Sequence, residues 1–395
     1  MDTSSPPRPR IPRNVIIVAF VALASGFGQD LITPVLPGFL TLLGISAAGI
    51  GLIDGILQGA TSVFRFVSGI LSDRFRRRKP FVFFGYALSS VARPLLALAG
   101  SFSTVAALRC IDGIGKGTKD APRDALIADD AAKESRGRAF GFQRLIDTAG
   151  SVFGPSVAGA LLILLGATMG TYRFIFALAA IPGAIALLLI WFGIREKTSE
   201  TRRAPLPIAK LPGAFWVFTI GTSIAMLTKI NDSLFLLRAH DIGIPLSLIP
   251  ILFAGFTLLY ALLSYPIGIW SDRVGKAPLI AAGWLVLALT ELLFSFHPGI
   301  IAALALFALF GLFYALTEGS GRAIIADLVP EQTRGSAYAI FYTLTGISVI
   351  VGGFGLGKIW DTVSPTLAFQ ISAAGSLIGF LILVSLFRKR TPVIA

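Results

Sequence analysis

The chain has 395 residues, of which 55% are apolar, with a formal net charge of +13 and a single cysteine, Cys110. One cysteine excludes an intrachain disulfide and a cysteine-based metal cluster. The apolar residues fall in repeated runs of about 20 or more, long enough for a helix to cross a bilayer core, so an ordinary soluble domain is excluded and the class is a polytopic membrane protein.

In chain order, the start MDTSSPPRPRIPR is polar and basic. The apolar run behind it is long and lacks a small-residue cleavage site, so it reads as a first helix and not as a removed signal. Apolar runs and their Gly, Pro and charged punctuation then give twelve spans: 14–43, 46–71, 80–100, 103–128, 138–166, 171–193, 213–237, 245–270, 277–296, 299–326, 334–358 and 364–387. The expected fold class is all-α. A charged, Pro-containing stretch, 195–212, separates a six-helix bundle at 1–194 from another at 213–395.

Charge placement gives the topology. Arg8, Arg10 and Arg13, the loop 74–79, the linker with Arg195, Lys197, Arg202, Arg203 and Lys210, and Lys133, Arg136, Arg138, Arg273, Lys276, Arg334, Arg388, Lys389 and Arg390 share one side. That side holds 22 of the 34 Lys and Arg, while the opposite loops hold Arg173, Arg238 and Lys358. The positive-inside rule then places both termini and the linker in the cytoplasm. The excess charge is accounted for by topology and anionic lipid contact, which removes the argument for a nucleic-acid partner. Nine basic residues remain, and they lie within spans.

The chain repeats itself. Gly69-Ile-Leu-Ser-Asp73-Arg74 recurs as Gly268-Ile-Trp-Ser-Asp272-Arg273, offset by 199 residues, and Ile127-Ala-Asp129 with Arg136-Gly137 recurs as Ile325-Ala-Asp327 with Arg334-Gly335, offset by 198. Two motif pairs at nearly the same offset indicate two related halves.

The run from Gly69 through Asp73 and Arg74 to Lys79 resembles the loop signature of the major facilitator superfamily. The resemblance extends over the chain through its spans, repeat and loop placement. It implies twelve transmembrane helices in two pseudo-symmetric halves, working by alternating access on a small-molecule substrate, without a cofactor or metal and as a monomer. It also implies gating roles for Asp73, Arg74, Asp129 and Arg136, with Asp272, Arg273, Asp327 and Arg334 as weaker copies. Arg76 stands where the family often has Gly. Three further patterns resemble the twelve-helix drug/proton antiporter branch: Pro34-Val-Leu-Pro37, Arg109-Cys-Ile-Asp112-Gly113 with Asp112 where Gln is usual, and Gly150-x-x-x-Gly154-Pro155-x-x-Ala158-Gly159. These favour export over import. The Gly150 and Gly154 spacing also suits plain helix packing.

Span four is the most informative. Arg109, Asp112, Lys116, Lys119, Asp120 and Arg123 project within an arc of about 100°. Charges near the bilayer centre cost about 2.5–3.5 kcal/mol each, so this face must line a cavity or pair internally. Four cations against two anions leave a positive surplus that suits an anionic or zwitterionic substrate group. Arg144 and Asp147 on span five, with Asp30 and Asp54, extend the network. The second half carries Lys229, Asn231 and Asp232 on span seven, Glu291 on span nine, and Glu318 and Arg322 as an i, i+4 pair on span ten. Asp30 and Glu318 are the expected proton carriers.

Gly113-Ile-Gly-Lys116-Gly117-Thr118 has the look of a phosphate-binding loop, but no strand precedes it and it lies within a span. His240 and His297 are isolated, which argues against a histidine metal site. The reading is a proton-coupled exporter of a small polar or charged organic molecule or drug in a bacterial inner membrane, with importer of an organic anion as the alternative and a membrane-embedded enzyme or receptor as the rival of another class. For topology, Glu200→Cys and His240→Cys in a Cys110→Ala background should differ in labelling by an impermeant thiol reagent applied to intact cells, with only position 240 reacting. Equal labelling at both positions would contradict this orientation.

Overall fold

The computed structural model describes residues 11–131, 136–196, 211–330 and 333–388, and the side chains of Arg136, Asp272, Glu318, Arg322, Asp327 and Arg334 lie outside the described set. Most of the linker, at 197–210, is outside it too. Span one comprises α1 (Arg13–Ile32) and α2 (Leu36–Leu42), divided at the turn around Pro34, where the missing amide hydrogen and fixed φ break the helix. Spans two to five are single helices: α3 (Ala47–Phe75), α4 (Lys79–Leu95), α5 (Phe102–Asp130) and α6 (Arg136–Leu165). Span six is α7 (Met169–Leu178) and α8 (Ala180–Leu188), continued by a short π turn to Gly193. Span seven is α9 (Gly213–Thr228) and α10 (Asp232–Asp241). Spans eight to twelve are α11 (Ile249–Val274), α12 (Lys276–Ser295), α13 (Ile300–Leu328), α14 (Arg334–Thr362) and α15 (Pro365–Arg388). Eleven of the twelve are apolar enough to cross a membrane by composition alone. The exception is α5, whose charges need partners within the protein before it can be buried.

Two features depart from the sequence expectation. The break at 229–231 in span seven contains no proline, and α10 runs on to Asp241, so Arg238 is buried within a span and not in a loop. Its guanidinium donates to the Phe294 carbonyl, at 3.3 and 3.4 Å, near the C-terminal end of α12 where a cation meets the negative end of the helix dipole.

The halves have different interiors. The second is filled mainly by an aromatic core that includes Phe215, Phe235, Phe294, Phe307, Phe310 and Phe369, with a smaller cluster around Ile267, Leu279 and Leu316 beside it. In the first, apolar packing divides into a cluster around Phe39, Ile53 and Phe176 and another around Val18, Val82, Tyr86 and Ile190. Between those clusters lies a buried polar layer of Ser25, Ser89, Arg93, Asp112 and Lys119. Gly150 and Gly154 pack α6 against α1: a Cβ there would come within 2.4 Å of the Leu23 carbonyl oxygen and 2.5 Å of that of Phe27. The packing role anticipated for this pair is therefore present.

The halves meet closely at the end opposite the basic loops. The Asp361 carboxylate on α14 accepts from the amides of Ala47 (3.0 Å) and Ala48 (2.8 Å) at the start of α3, pairing an anion with the free N–H groups and positive end of that helix. Deeper in, α3 and α14 touch backbone to backbone, and a Cβ on Gly353 would lie 2.4 Å from the Gly51 carbonyl oxygen. This end is closed, and the closure needs glycine. Gly353→Val should therefore prop it open, so that Asp54→Cys, about one turn deeper on α3, becomes reactive to an impermeant thiol reagent from that side. Gly355→Val, where an added Cβ meets nothing within 4 Å, is the control. Equal reactivity in the two backgrounds would contradict the closure.

Candidate functional site

The charged face of α5 is positioned by three glycines on its other faces. A Cβ on Gly113 would lie 2.5 Å from the Leu57 carbonyl oxygen and one on Gly117 2.5 Å from that of Thr61, both on α3, while Gly115 lies equally tight against Gly85 of α4. The glycines that imitate a phosphate loop are helix contacts that draw α3, α4 and α5 together.

That approach determines how the charges pair. Asp112 is 2% exposed and binds two arginines, Arg93 of α4 at 3.1 Å and Arg109 of its own helix at 3.2 Å. Arg93 also donates to the Ser25 carbonyl at 3.0 Å and to the Gln29 side chain at 3.2 Å, joining α1 to α4 and α5. Asp120 pairs with Arg65 of α3 and with Arg123 at 3.7 Å, and Arg123 also reaches Asp124 at 2.9 Å. Lys119 is buried, with its ammonium 4.1 Å from the centre of the Tyr86 ring and 3.4 Å from Ser25 Oγ. The face is thus split: of the two arrangements open to it, lining a cavity or pairing internally, most of it takes the second inside the first half. Sequence reading missed Arg65 and Arg93 because each is the single cation of its span, and only the helix packing shows which aspartate each meets.

Lys116 is different. It is half-buried and forms no hydrogen bond or ion pair among the described residues. Its charge is felt by Asp30, which is 7% exposed on α1, and by Asp54 on α3. Asp54 in turn interacts electrostatically across the molecular pseudo-symmetry with Lys229 and Asp232 of the second half. There Lys229 lies 3.4 Å from Asp232, and the Tyr314 hydroxyl donates to both Asp232 oxygens at 2.7 and 2.9 Å. Lys229 also lies 5.6–5.8 Å from the ring centres of Phe310, Phe313 and Tyr314. Two further contacts join the halves: Arg65 over the Tyr342 ring at 5.7 Å, and Arg144 bonded to the Tyr260 hydroxyl. Asp147 lies beside Gly26 of α1 and interacts electrostatically with Arg123 and Arg144. An apolar cavity of about 450 Å³ lined by Leu248, Phe256, Leu304 and Phe307 lies apart from these charges.

At the basic loops, the cation that Asp73 meets is Arg78, at 2.5 Å, and Arg78 also approaches Asp129 at 3.5 Å and Ser72 Oγ at 2.9 Å. Arg74 is exposed. The physical reason is the turn: α3 ends at Phe75, Arg76 takes φ +53°, and the chain doubles back to bring Arg78 over the helix end. The repeat has Gly275 at the equivalent position, at φ +86°. Glycine enters that region without the cost a side chain incurs. Glu196, after span six, accepts from the Arg78 amide at 2.8 Å. Arg273 is exposed, and the side chains of its partners in the repeated motif, like those of Arg136, Glu318 and Arg322, are outside the described residues.

The family model of the Major Facilitator Superfamily matches residues 18–237 and again 213–394. The chain belongs to the major facilitator superfamily. An uncharacterized MFS-type transporter of Methanocaldococcus jannaschii is 29% identical over 383 residues, covering 95% of each chain. Multidrug resistance protein MdtH of Photorhabdus laumondii is 27% identical over 340 residues, 82% of this chain and 80% of MdtH. The crystal structure of the nucleoside transporter NupG, as a D323A mutant, has the same fold with a TM-score of 0.78 at 14% identity, covering 94% of this chain and 99% of NupG. In this major facilitator, Asp112 compensates two buried arginines, so Asp112→Asn should destabilise by about 3–5 kcal/mol. Lys116→Gln breaks no bond and should change stability by about 0.5 kcal/mol or less. Thermal unfolding of the purified variants checks this. Similar losses would overturn the division of α5 into paired and free charge.

Proposed function

We propose that the chain is a secondary active transporter that exports a small polar or charged organic molecule in exchange for protons, by alternating access between bundles 1–194 and 213–395. The observation that carries this reading is Lys116, a half-buried cation without an ion pair among the described residues, within electrostatic reach of Asp30 and of Asp54, which itself interacts with Lys229 and Asp232 of the second half. A charge in that position is stable when water or a ligand anion solvates it, and a carboxylate or phosphate group on the substrate is the natural partner. The opposing wall, with Lys229, Asp232 and Tyr314 beside Phe310 and Phe313, suits a zwitterionic or ring-bearing molecule.

Asp30 is the proposed proton carrier. It is nearly buried, shares no ion pair among the described residues and is within the electrostatic reach of Lys116, so that ligand binding at Lys116 alters its environment. Export is supported by the likeness to MdtH, and the basic loops, taken as cytoplasmic, place the closed end outward. Asp73, Arg74, Asp129 and Arg136, with Arg78, act in this reading as the cytoplasmic gate, and Asp272, Arg273, Asp327 and Arg334 as its copy. The site is proposed for a bacterial inner membrane, with both termini cytoplasmic and the monomer as working unit. An importer of an organic anion would use the same cavity.

Reconstituted protein tests the reading. A panel of organic anions and zwitterions should contain compounds that raise the melting temperature of the wild type and not of Lys116→Gln, because a ligand stabilises only the state that binds it. The same compounds should dissipate an imposed pH gradient. Asp30→Asn should retain exchange of labelled for unlabelled compound while losing accumulation driven by the gradient. A compound that stabilises wild type and Lys116→Gln alike would remove Lys116 from the site, and accumulation on the proton-rich side's opposite face would make the protein an importer.

A further inference from the structure

Span seven is broken at the level of the charged groups, and a break inside a membrane needs partners for every backbone group it frees. At this break each residue has a separate attachment. Lys229 meets Asp232 and lies over the aromatic rings of Phe310 and Tyr314 on α13. The Ile230 amide donates to Ser372 Oγ of α15 at 2.8 Å. Asn231 caps α10 by accepting from the Leu234 amide at 3.0 Å and donates through Nδ2 to the Gly51 carbonyl of the other half at 3.1 Å.

Behind Ser372 stands Glu291 of α12, 0% exposed. Its carboxylate accepts from Ser372 Oγ at 2.5 Å and from Ser376 Oγ at 2.7 Å, and no Lys, Arg or His among the described residues is in ion-pair range. A serine hydroxyl has one hydrogen, so a Ser372 that gives it to Glu291 offers its lone pairs to Ile230. The carboxylate thereby orients the hydroxyl that holds the broken strand.

We propose that Glu291 is a positioning residue for the break in span seven, acting through Ser372 on Ile230 to hold Lys229 in the cavity and Asn231 against Gly51 of the other half. The break then joins three things: the charged site, the core of the second half and the closed end. Loss of the relay frees the Ile230 amide, lets Lys229 drift from Asp232 and weakens the Asn231 contact that closes the end opposite the basic loops. The ligand consequence rests on the cavity reading above. The joint itself does not.

Hydrogen exchange of the full-length protein, read by mass spectrometry over 229–234, tests it directly. Ser372→Ala and Glu291→Ala should speed exchange there by up to about tenfold, the factor set by the net worth of one hydrogen bond. Both should also raise the thiol reactivity of Asp54→Cys from the closed side. Glu291→Gln should resemble wild type in both measurements, because its amide oxygen still accepts from Ser372 and its NH₂ can donate to Ser376. Unchanged exchange in Ser372→Ala, or Glu291→Gln as disruptive as Glu291→Ala, would overturn the proposal.

Discussion

A charge inside a bilayer must be paired within the protein or face a water-filled or ligand-filled space, and the first half of this transporter is arranged around that constraint. Asp112 takes Arg93 and Arg109, Asp120 takes Arg65 and Arg123, and the Lys119 ammonium rests on Tyr86. Pairs of this kind add little net stability compared with an apolar core, but breaking one exposes an uncompensated charge. They therefore act chiefly to fix α1, α3, α4 and α5 in one arrangement. What they leave over on this face is Lys116, half-buried and without an ion pair among the described residues, and it is the group on which the proposed site rests.

The two halves share a topology and differ in material. The first has its apolar packing interrupted by the charged layer, whereas the second is built mainly on an extended aromatic core, with Lys229, Asn231 and Asp232 at the break in span seven. A rigid charged half facing an aromatic half suits a molecule with both an ionic group and an apolar body. Close contact between the halves at Gly51 and Gly353, with Asp361 on the start of α3, closes one end of the space between them.

Much of this was legible in the sequence because the bilayer imposes length and charge rules on each span separately. The twelve spans, the repeat and the charged face of span four follow from local pattern, and the helix limits agree with the reading to within a few residues. The partition of that face was not legible, since it depends on Arg65 and Arg93 arriving from other helices. Arg78 replaces Arg74 beside Asp73 because of a left-handed turn at Arg76, a residue that gives no such signal by itself. The break at Lys229–Asn231 was hidden for a similar reason: without proline or glycine, it is held open by Ser372 and Glu291 from spans far along the chain.

Helix α5 carries one cation, Lys116, half-buried and without an ion pair among the described residues, and another, Lys119, sealed against Tyr86. Thiol reactivity separates them most directly: in a Cys110→Ala background, Lys116→Cys and Lys119→Cys are each exposed in detergent to a small charged thiol reagent. Modification should be rapid at position 116 and position 119 should be protected. Equal rates, or faster reaction at position 119, would contradict this.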